Sequence, residues 1–154
     1  MLCRAVRAMN VNIKIKRLND LARMPTKTDP GSAGWDICAC TLHPIVIDPS
    51  CRVLIPTGLS FEFPEDWEMQ VRPRSGNAYK YGISIPNTPA TIDSSFRGEL
   101  QVILINHGDK PFVVEHGHRI AQLLFAQVPQ VTWEVVDSLS ETSRGSGGLG
   151  SSGV

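Results

Sequence analysis

Four short stretches of the chain carry residue types that suit phosphate chemistry. The last eleven residues read RGSGGLGSSGV, and there Gly145, Gly147 and Gly150 fit a G-x-G-x-x-G pattern behind Arg144. Glycines let successive N–H groups turn to one side and form an anion-binding nest. An arginine adds a two-pronged fork for phosphate oxygens. A dinucleotide fingerprint would need a helix after the glycines and an acidic residue about 20 positions on, and the chain given stops at Val154. A P-loop would need Lys and then Ser or Thr after the last glycine, whereas Ser151 and Ser152 follow Gly150. A plain Gly/Ser linker has the same composition. The second stretch is PRSG, Pro73 to Gly76, where Arg74, the Ser75 hydroxyl and a helix-start N–H would suit a phosphate; an isolated R-S-G is also an ordinary turn. In the third, TIDSSFRGE, Asp93 follows an apolar pair, in a place that also suits a turn former or cap. In the fourth, GHRIAQLLF, the polar Gln122 interrupts what is otherwise a core strand.

These residues need a scaffold, and composition bounds it. A chain of 154 residues supports one domain with a real core. Hydrophobic residues make up 42% and charged ones 19%, a globular balance. Fifteen basic residues match fifteen acidic ones, so nothing favours nucleic acid or an anionic membrane as a partner. No apolar run reaches the 18 residues or so of a transmembrane helix. MLCRAVRAMN is basic but lacks the apolar stretch of a secretory signal; Met9 is a second candidate start, and a truncated transit peptide is another reading. Cysteines at 3, 38, 40 and 51 make no C-x-x-C spacing, so reduced intracellular thiols are expected. A cytoplasmic address follows, with nucleus or organelle left open.

The middle of the chain reads as strands. Val11, Ile13 and Ile15 alternate with polar residues. Ile45 to Ile47 and Val53 to Ile55 are short apolar runs. Phe61 and Phe63, then Met69 and Val71, alternate again, and Leu100 to Ile105 and Ile120 to Val128 are longer runs. Eleven prolines and thirteen glycines leave no room for a long helix, and only Ser75 to Tyr81 can hold a turn or two. The predicted architecture is an all-β, compact jelly-roll-like barrel. It is expected to span residues 9–140, between a disordered extension over 1–8 and a mobile arm over 141–154.

Taken together and in order, the motifs resemble those of the trimeric dUTPase family. PGSAGWD (Pro30 to Asp36), RPRSG (Arg72 to Gly76), NTPATIDSSFRGEL (Asn87 to Leu100), GHRIAQLL (Gly117 to Leu124) and RGSGGLGSSG (Arg144 to Gly153) correspond to its five motifs. The resemblance implies a homotrimer with three active sites at subunit interfaces, each closed by a mobile arm from a neighbour. Eleven extended residues reach roughly 36–40 Å, enough for such an arm. It implies hydrolysis of dUTP to dUMP and pyrophosphate, which keeps uracil out of DNA and supplies dUMP. Mg2+ would be bound mainly through the triphosphate. Asp93 matches the general base for water attacking the α-phosphorus. Arg74, Ser75, Gly76 and Gln122 match phosphate contacts, and Asp36 matches an aspartate near the magnesium's water shell, with no direct metal bond. Asn87, Thr91, Ile92 and Gln101 match the hairpin that accepts uracil, Phe96 the ring under the deoxyribose, and Arg144, Leu149 and Gly150 the closing arm.

Five positions depart from the family pattern. Trp35 and Phe96 stand for Tyr, Ala90 for Gly, His118 for Asp and Leu149 for Phe. They bear on substrate affinity more than on reaction type; Ala90 would strain the hairpin if a positive φ were needed there. Two other functions share the pattern: a dCTP deaminase-like enzyme, for which no second acidic base is evident, and a regulatory trimer that binds dUTP with weak turnover.

Overall fold

The computed structural model describes residues 10–149; the extension expected over 1–8 and the candidate Gly150 lie outside the described residues. Eleven strands and one helix follow in the described part: β1 (Lys14–Arg17), β2 (Trp35–Cys38), β3 (Ile45–Ile47), β4 (Arg52–Pro56), β5 (Leu59–Glu62), β6 (Trp67–Arg72), α1 (Ser75–Tyr81), β7 (Ile83–Ser84), β8 (Ala90–Ile92), β9 (Gln101–Asn106), β10 (Phe112–Val114) and β11 (Arg119–Gln127). All pairings are antiparallel. They form sheets in the orders β2–β11–β6–β8, β4–β9–β7, β1–β5 and β10–β3. Strands distant in sequence lie side by side, as in a jelly roll. Among the described residues the ladders stay as four sheets and do not close into one continuous barrel.

Alternation decides which residues enter the core. On β9, Val102, Leu104 and Asn106 are buried while Gln101 is exposed and Ile103 and Ile105 are half-buried. On β6, Met69 and Val71 face inward between Gln70 and Arg72. Both sets join Ile37, Ile55, Leu59, Leu100, Ile120 and Leu123 in one apolar cluster. The burial period at the N-terminal edge runs back to Val11, but the ladder begins only at Lys14. β5 differs from the expected alternation: Ser60 is buried because its hydroxyl donates to the Arg97 carbonyl at 2.7 Å.

α1 stops at Gly82, which holds φ 68° and returns its N–H to the Ala78 and Asn77 carbonyls. A side chain there would also meet the Gly108 nitrogen at 2.6 Å, so glycine alone suits both the left-handed turn and the close approach. After β11 no strand forms as far as Leu149, and Trp133, Val135 and Leu139 stand fully or nearly fully exposed. No helix among the described residues is long and apolar enough to cross a membrane.

One buried polar residue ties the edge sheets together. The Asn106 amide donates to the Ile47 and Lys110 carbonyls at 2.9 and 2.8 Å, and its oxygen accepts the Gly108 N–H at 2.8 Å. Asn106→Ala would take the side-chain partner from these three backbone groups, the Ile47 carbonyl in a buried place and the other two in partly buried ones. We expect a loss of about 3 kcal/mol, read in urea denaturation, and a melting point lower by roughly 6–12 °C at fixed protein concentration.

Candidate active site

The site begins with a register irregularity. Between Arg119 and Ala121 the pairing of β11 with β2 shifts by one residue. A regular strand would put Arg119 on the same face as the buried Ala121 and Leu123. The extra residue turns Arg119 outward while Ile120, Ala121 and Leu123 stay inside. Past the bulge, Gln122 lies opposite Asp36 on one side and Arg72 on the other. A row of polar side chains therefore crosses the sheet where β6 runs out into Arg74 and α1.

Asp36 is the hub of that row. Its carboxylate, 11% exposed, accepts from Arg74 Nε at 2.7 Å and from Arg119 Nη1 at 3.0 Å. Arg74 Nη2 at 3.4 Å and the Thr28 hydroxyl at 3.5 Å complete its contacts. Two guanidinium groups thus share one carboxylate, leaving an excess positive charge at a recess of about 430 Å3 that also takes Asn77, Tyr81 and His118. Asn77 fixes the recess by donating to the Arg119 carbonyl at 3.1 Å. Gln122 Nε2 donates to the Pro73 carbonyl at 2.9 Å and so holds the residue before Arg74. Gly34 makes room for it, since a Cβ there would lie 2.3 Å from Gln122 Oε1. Ser75 and Gly76 open α1, and a Cβ on Gly76 would meet nothing within 4 Å, so that side is open.

The second half of the site is a cleft of about 240 Å3 beside β8 and the start of β9. Asn87, Thr91, Ile92, Phe96 and Gln101 all line it, so five residues expected around a base and sugar do come together. Its volume falls just below the range of roughly 300–1,000 Å3 for whole-ligand pockets, and suits a base and sugar better than a nucleoside triphosphate. Asp93 lies between two lining residues, Ile92 and Phe96, exposed and at the head of a turn in which the Phe96 N–H donates to the Asp93 carbonyl at 3.1 Å. Ala90 sits in β8 and is not among the residues with positive φ, so the strain considered for it does not arise.

The two halves do not meet within one chain. β8 pairs with β6 through Met69–Ile92 and Val71–Ala90. Ile92, next to Asp93, therefore sits near one end of β6 and Arg74 beyond the other, roughly 17 Å away at about 3.3 Å per residue over the five steps from Met69 to Arg74.

The arm residues stand apart from both halves. Arg144 Nε donates to the Gly147 carbonyl at 2.9 Å, while the Gly145 and Gly147 N–H groups bond to Thr142 and Arg144. These N–H groups point into their own turn, so an anion nest forms only if the bonds exchange. Leu149 is fully exposed. Among the other departures, Trp35 is partly exposed with Lys27 Nζ 5.0 Å from its ring centroid, and His118 Nδ1 accepts the Glu115 N–H at 3.1 Å. Burial pushes the Cys38 thiol up from its ordinary value, against the opposing pull of Arg23, so it stays protonated and is a poor nucleophile. Among the described residues no three His, Cys, Asp or Glu side chains gather as a metal cage. Both Asp36 oxygens already accept from guanidinium groups, which suits a magnesium ion held by phosphate oxygens and water and not by this carboxylate directly. Arg119 had not been singled out in the sequence; only the bulge, which leaves no mark on the apolar period, brings it to Asp36.

A small antiparallel β fold with a base-sized cleft and a separate arginine-rich anchor defines a nucleotide-binding class of protein. The family model described as dUTPase matches residues 20–153. The deoxyuridine 5'-triphosphate nucleotidohydrolase of Syntrophotalea carbinolica is 48% identical over 143 residues, covering 93% of this chain and 97% of that protein. Among solved structures, a Staphylococcus bacteriophage 80alpha dUTPase with dUpNHpp superposes with TM-score 0.83 at 26% identity, covering 93% of this chain and 99% of that one. The dUTPase of phage phi11 of S. aureus shares the fold, with TM-score 0.75 at 19% identity, covering 85% and 99%. The chain belongs to the dUTPase family.

The Asp36 hub and the surface pair Lys14–Glu62 make a direct comparison. Asp36→Ala removes a nearly buried carboxylate bonded to the guanidinium groups of Arg74, largely buried, and Arg119, half exposed, and is expected to lower stability by about 3 kcal/mol. Lys14→Ala breaks a 2.5 Å ion pair whose side chains are 68% and 45% exposed and should leave the urea midpoint unchanged. Equal effects of the two substitutions would remove Asp36 from its place as hub.

Proposed function

We propose that the protein hydrolyses dUTP to dUMP and pyrophosphate in active sites shared between three copies of the chain. The observation that carries the mechanism is the place of Asp93, an exposed carboxylate between two residues that line the base-sized cleft. Asn87, Thr91, Ile92 and Gln101 take uracil, and Phe96 lies along the deoxyribose. The α-phosphate then leaves the cleft mouth beside Asp93. The carboxylate holds a water within hydrogen-bond reach and takes its proton as the oxygen bonds to the α-phosphorus. The bond from phosphorus to the α–β bridging oxygen breaks, and its electrons leave with pyrophosphate. Magnesium would come bound to the substrate's phosphates, close to Asp36 through water, and would supply charge neutralisation for the triphosphate. Arg74, Arg119 and the Ser75–Gly76 amides bind the phosphates, and Gln122 holds the Pro73–Arg74 turn in place.

Because the Asp93 and Arg74 ends of one chain lie roughly 17 Å apart along β6, the phosphates leaving one cleft meet the arginine anchor of another copy. Exposed Val131, Trp133, Val135 and Val136 give the chain an apolar stretch to bury against a neighbour. An open groove of about 330 Å3 lined by Ile13, Ile15, Trp35, Phe61 and Phe125 offers an apolar surface to receive it. Arg144, Leu149 and Gly150 close the site as an arm. Unpaired Cys38, Cys40 and Cys51 suit a reducing, cytoplasmic setting.

Pyrophosphate release from dUTP, dCTP, dTTP and UTP with magnesium tests the substrate directly. Release from dUTP alone is expected; ammonia from dCTP would mark a deaminase, and dUTP bound without turnover a regulator. Asp93→Asn should lower kcat at least about a hundredfold while nucleotide still binds. Near wild-type turnover would remove Asp93 as the base.

The shared site makes a second prediction. The protein should run as a trimer of about 51 kDa, three times the 16.9 kDa chain. Asp93→Asn subunits mixed with subunits lacking 144–154 should regain activity that neither has alone, because one site draws its base and its arm from different chains. A monomer by light scattering, or inactive verified mixed trimers, would overturn shared sites.

A further inference from the structure

The turn that carries Asp93 and Phe96 is held at three of its carbonyls, those of Asp93, Ser94 and Phe96. The Phe96 N–H donates to the Asp93 carbonyl at 3.1 Å, and Arg97 Nη1 bonds the Ser94 and Phe96 carbonyls at 2.5 and 3.0 Å. Beyond it, the Ser60 hydroxyl holds the Arg97 carbonyl at 2.7 Å, and the Gly58 N–H donates to Glu99 Oε1 at 2.7 Å. The main chain under Phe96 is therefore set, and what remains free is the direction of its ring. That ring, 45% exposed at the cleft wall, folds back over Gly98. A Cβ on Gly98 would lie 2.6 Å from Phe96 Cζ and 2.9 Å from Cε2, against the 3.5–4.0 Å or so of ordinary carbon contact. The neighbour in the way is the far end of a side chain, so a methyl group there displaces the ring and not the turn.

We infer that Gly98 is a positioning residue for sugar selection: its missing side chain is the space that seats the Phe96 ring against the cleft. The inference rests on the reading of Phe96 as the ring along the deoxyribose. A wall made only of carbon rejects an added hydroxyl modestly, on the order of a hundredfold. Such a wall works by closeness of fit, so shifting the ring by about 1 Å should remove much of the selection. Phe96 has no hydroxyl to anchor its ring edge to a polar partner, which leaves shape as the constraint on its position.

The test is a double-mutant cycle read as the ratio of kcat/KM for dUTP to that for UTP. Gly98→Ala is expected to lower this ratio about tenfold, mainly through a lower KM for UTP, with the melting point close to that of the unsubstituted protein. Phe96→Leu should lower it by a similar factor, and adding Gly98→Ala to Phe96→Leu should change nothing further, since the shorter side chain leaves the space open. If Phe96→Leu lowers the ratio and Gly98→Ala does not, the role of Gly98 is overturned while that of Phe96 stands. If Phe96→Leu leaves the ratio unchanged, the reading of Phe96 falls and the inference with it. Additive effects would mean that Gly98 acts by another route, which also overturns it. Should Gly98→Ala fail to fold, the double variant must restore folding if the clash is with the ring; failure of both would sink the inference.

Discussion

The arrangement of the site turns on one inserted residue in β11. Among the described strands, this one is flanked on both sides, by β2 and β6, in the largest sheet. It has to supply Ile120, Ala121 and Leu123 to the core and also present Arg119 and Gln122 to the surface beside Asp36. A strict two-residue period cannot do both. The bulge between Arg119 and Ala121 breaks the period at the one point where core and site compete for the same face. Asp36 then becomes buried at low electrostatic cost, because two guanidinium groups arrive from different elements to compensate it. Without the bulge Arg119 would be directed at the core, and the carboxylate would keep Arg74 alone.

The same sheet explains why one chain carries two half-sites. β6 connects them: at its far end Arg74 leads into α1, and near its start Met69 pairs with Ile92 beside Asp93. Antiparallel pairing fixes that separation, and no side-chain rotation can close it. The base cleft is shaped by short strands and a stapled turn, which suits recognition of a flat ring. The anchor is shaped by arginines around a carboxylate, which suits an anion whose charge is spread over several oxygens. In the proposed trimer, several copies bring two well-formed surfaces together and avoid stretching one scaffold over the length of a nucleoside triphosphate.

Much of this was legible in the sequence, and the misses have physical causes. The long strands β6, β9 and β11 announced themselves because six to nine residues are enough to show a period. The one helix was fixed by elimination among prolines and glycines. β2, β7, β8 and β10 are two to four residues long and show no period at all. Asn87, Thr91, Ile92 and Gln101, matched by the resemblance to the uracil hairpin, and Phe96, matched to the ring under the deoxyribose, line one cleft. Arg119 and Gly98 were missed because their importance lies in a bulge and in an empty volume. Neither changes the pattern of residue types. Gln122, matched by the resemblance to the phosphate and water network, also donates its amide N–H to the Pro73 carbonyl beside Arg74, a support that the sequence pattern does not show.

The glycine-rich arm follows a different logic from the rest of the chain. Elsewhere the protein fixes its polar groups: the turn around Asp93 is bonded at the Ser94 and Phe96 carbonyls, and Asp36 has no idle oxygen. Such order suits groups that must be in place before a ligand arrives. Arg144 to Gly147 instead satisfy one another in a small exposed turn, with the arginine bonded to a carbonyl of its own loop. Each of those bonds is exposed, so water can replace it at little cost, and a phosphate offers a guanidinium group a charged acceptor where the loop offers a neutral one. Exchange toward an anion is therefore favourable only when the anion is present. In the proposed function, a preformed nest would concentrate phosphate or pyrophosphate with no base to select among them, whereas an arm that folds first upon itself leaves selection to the cleft.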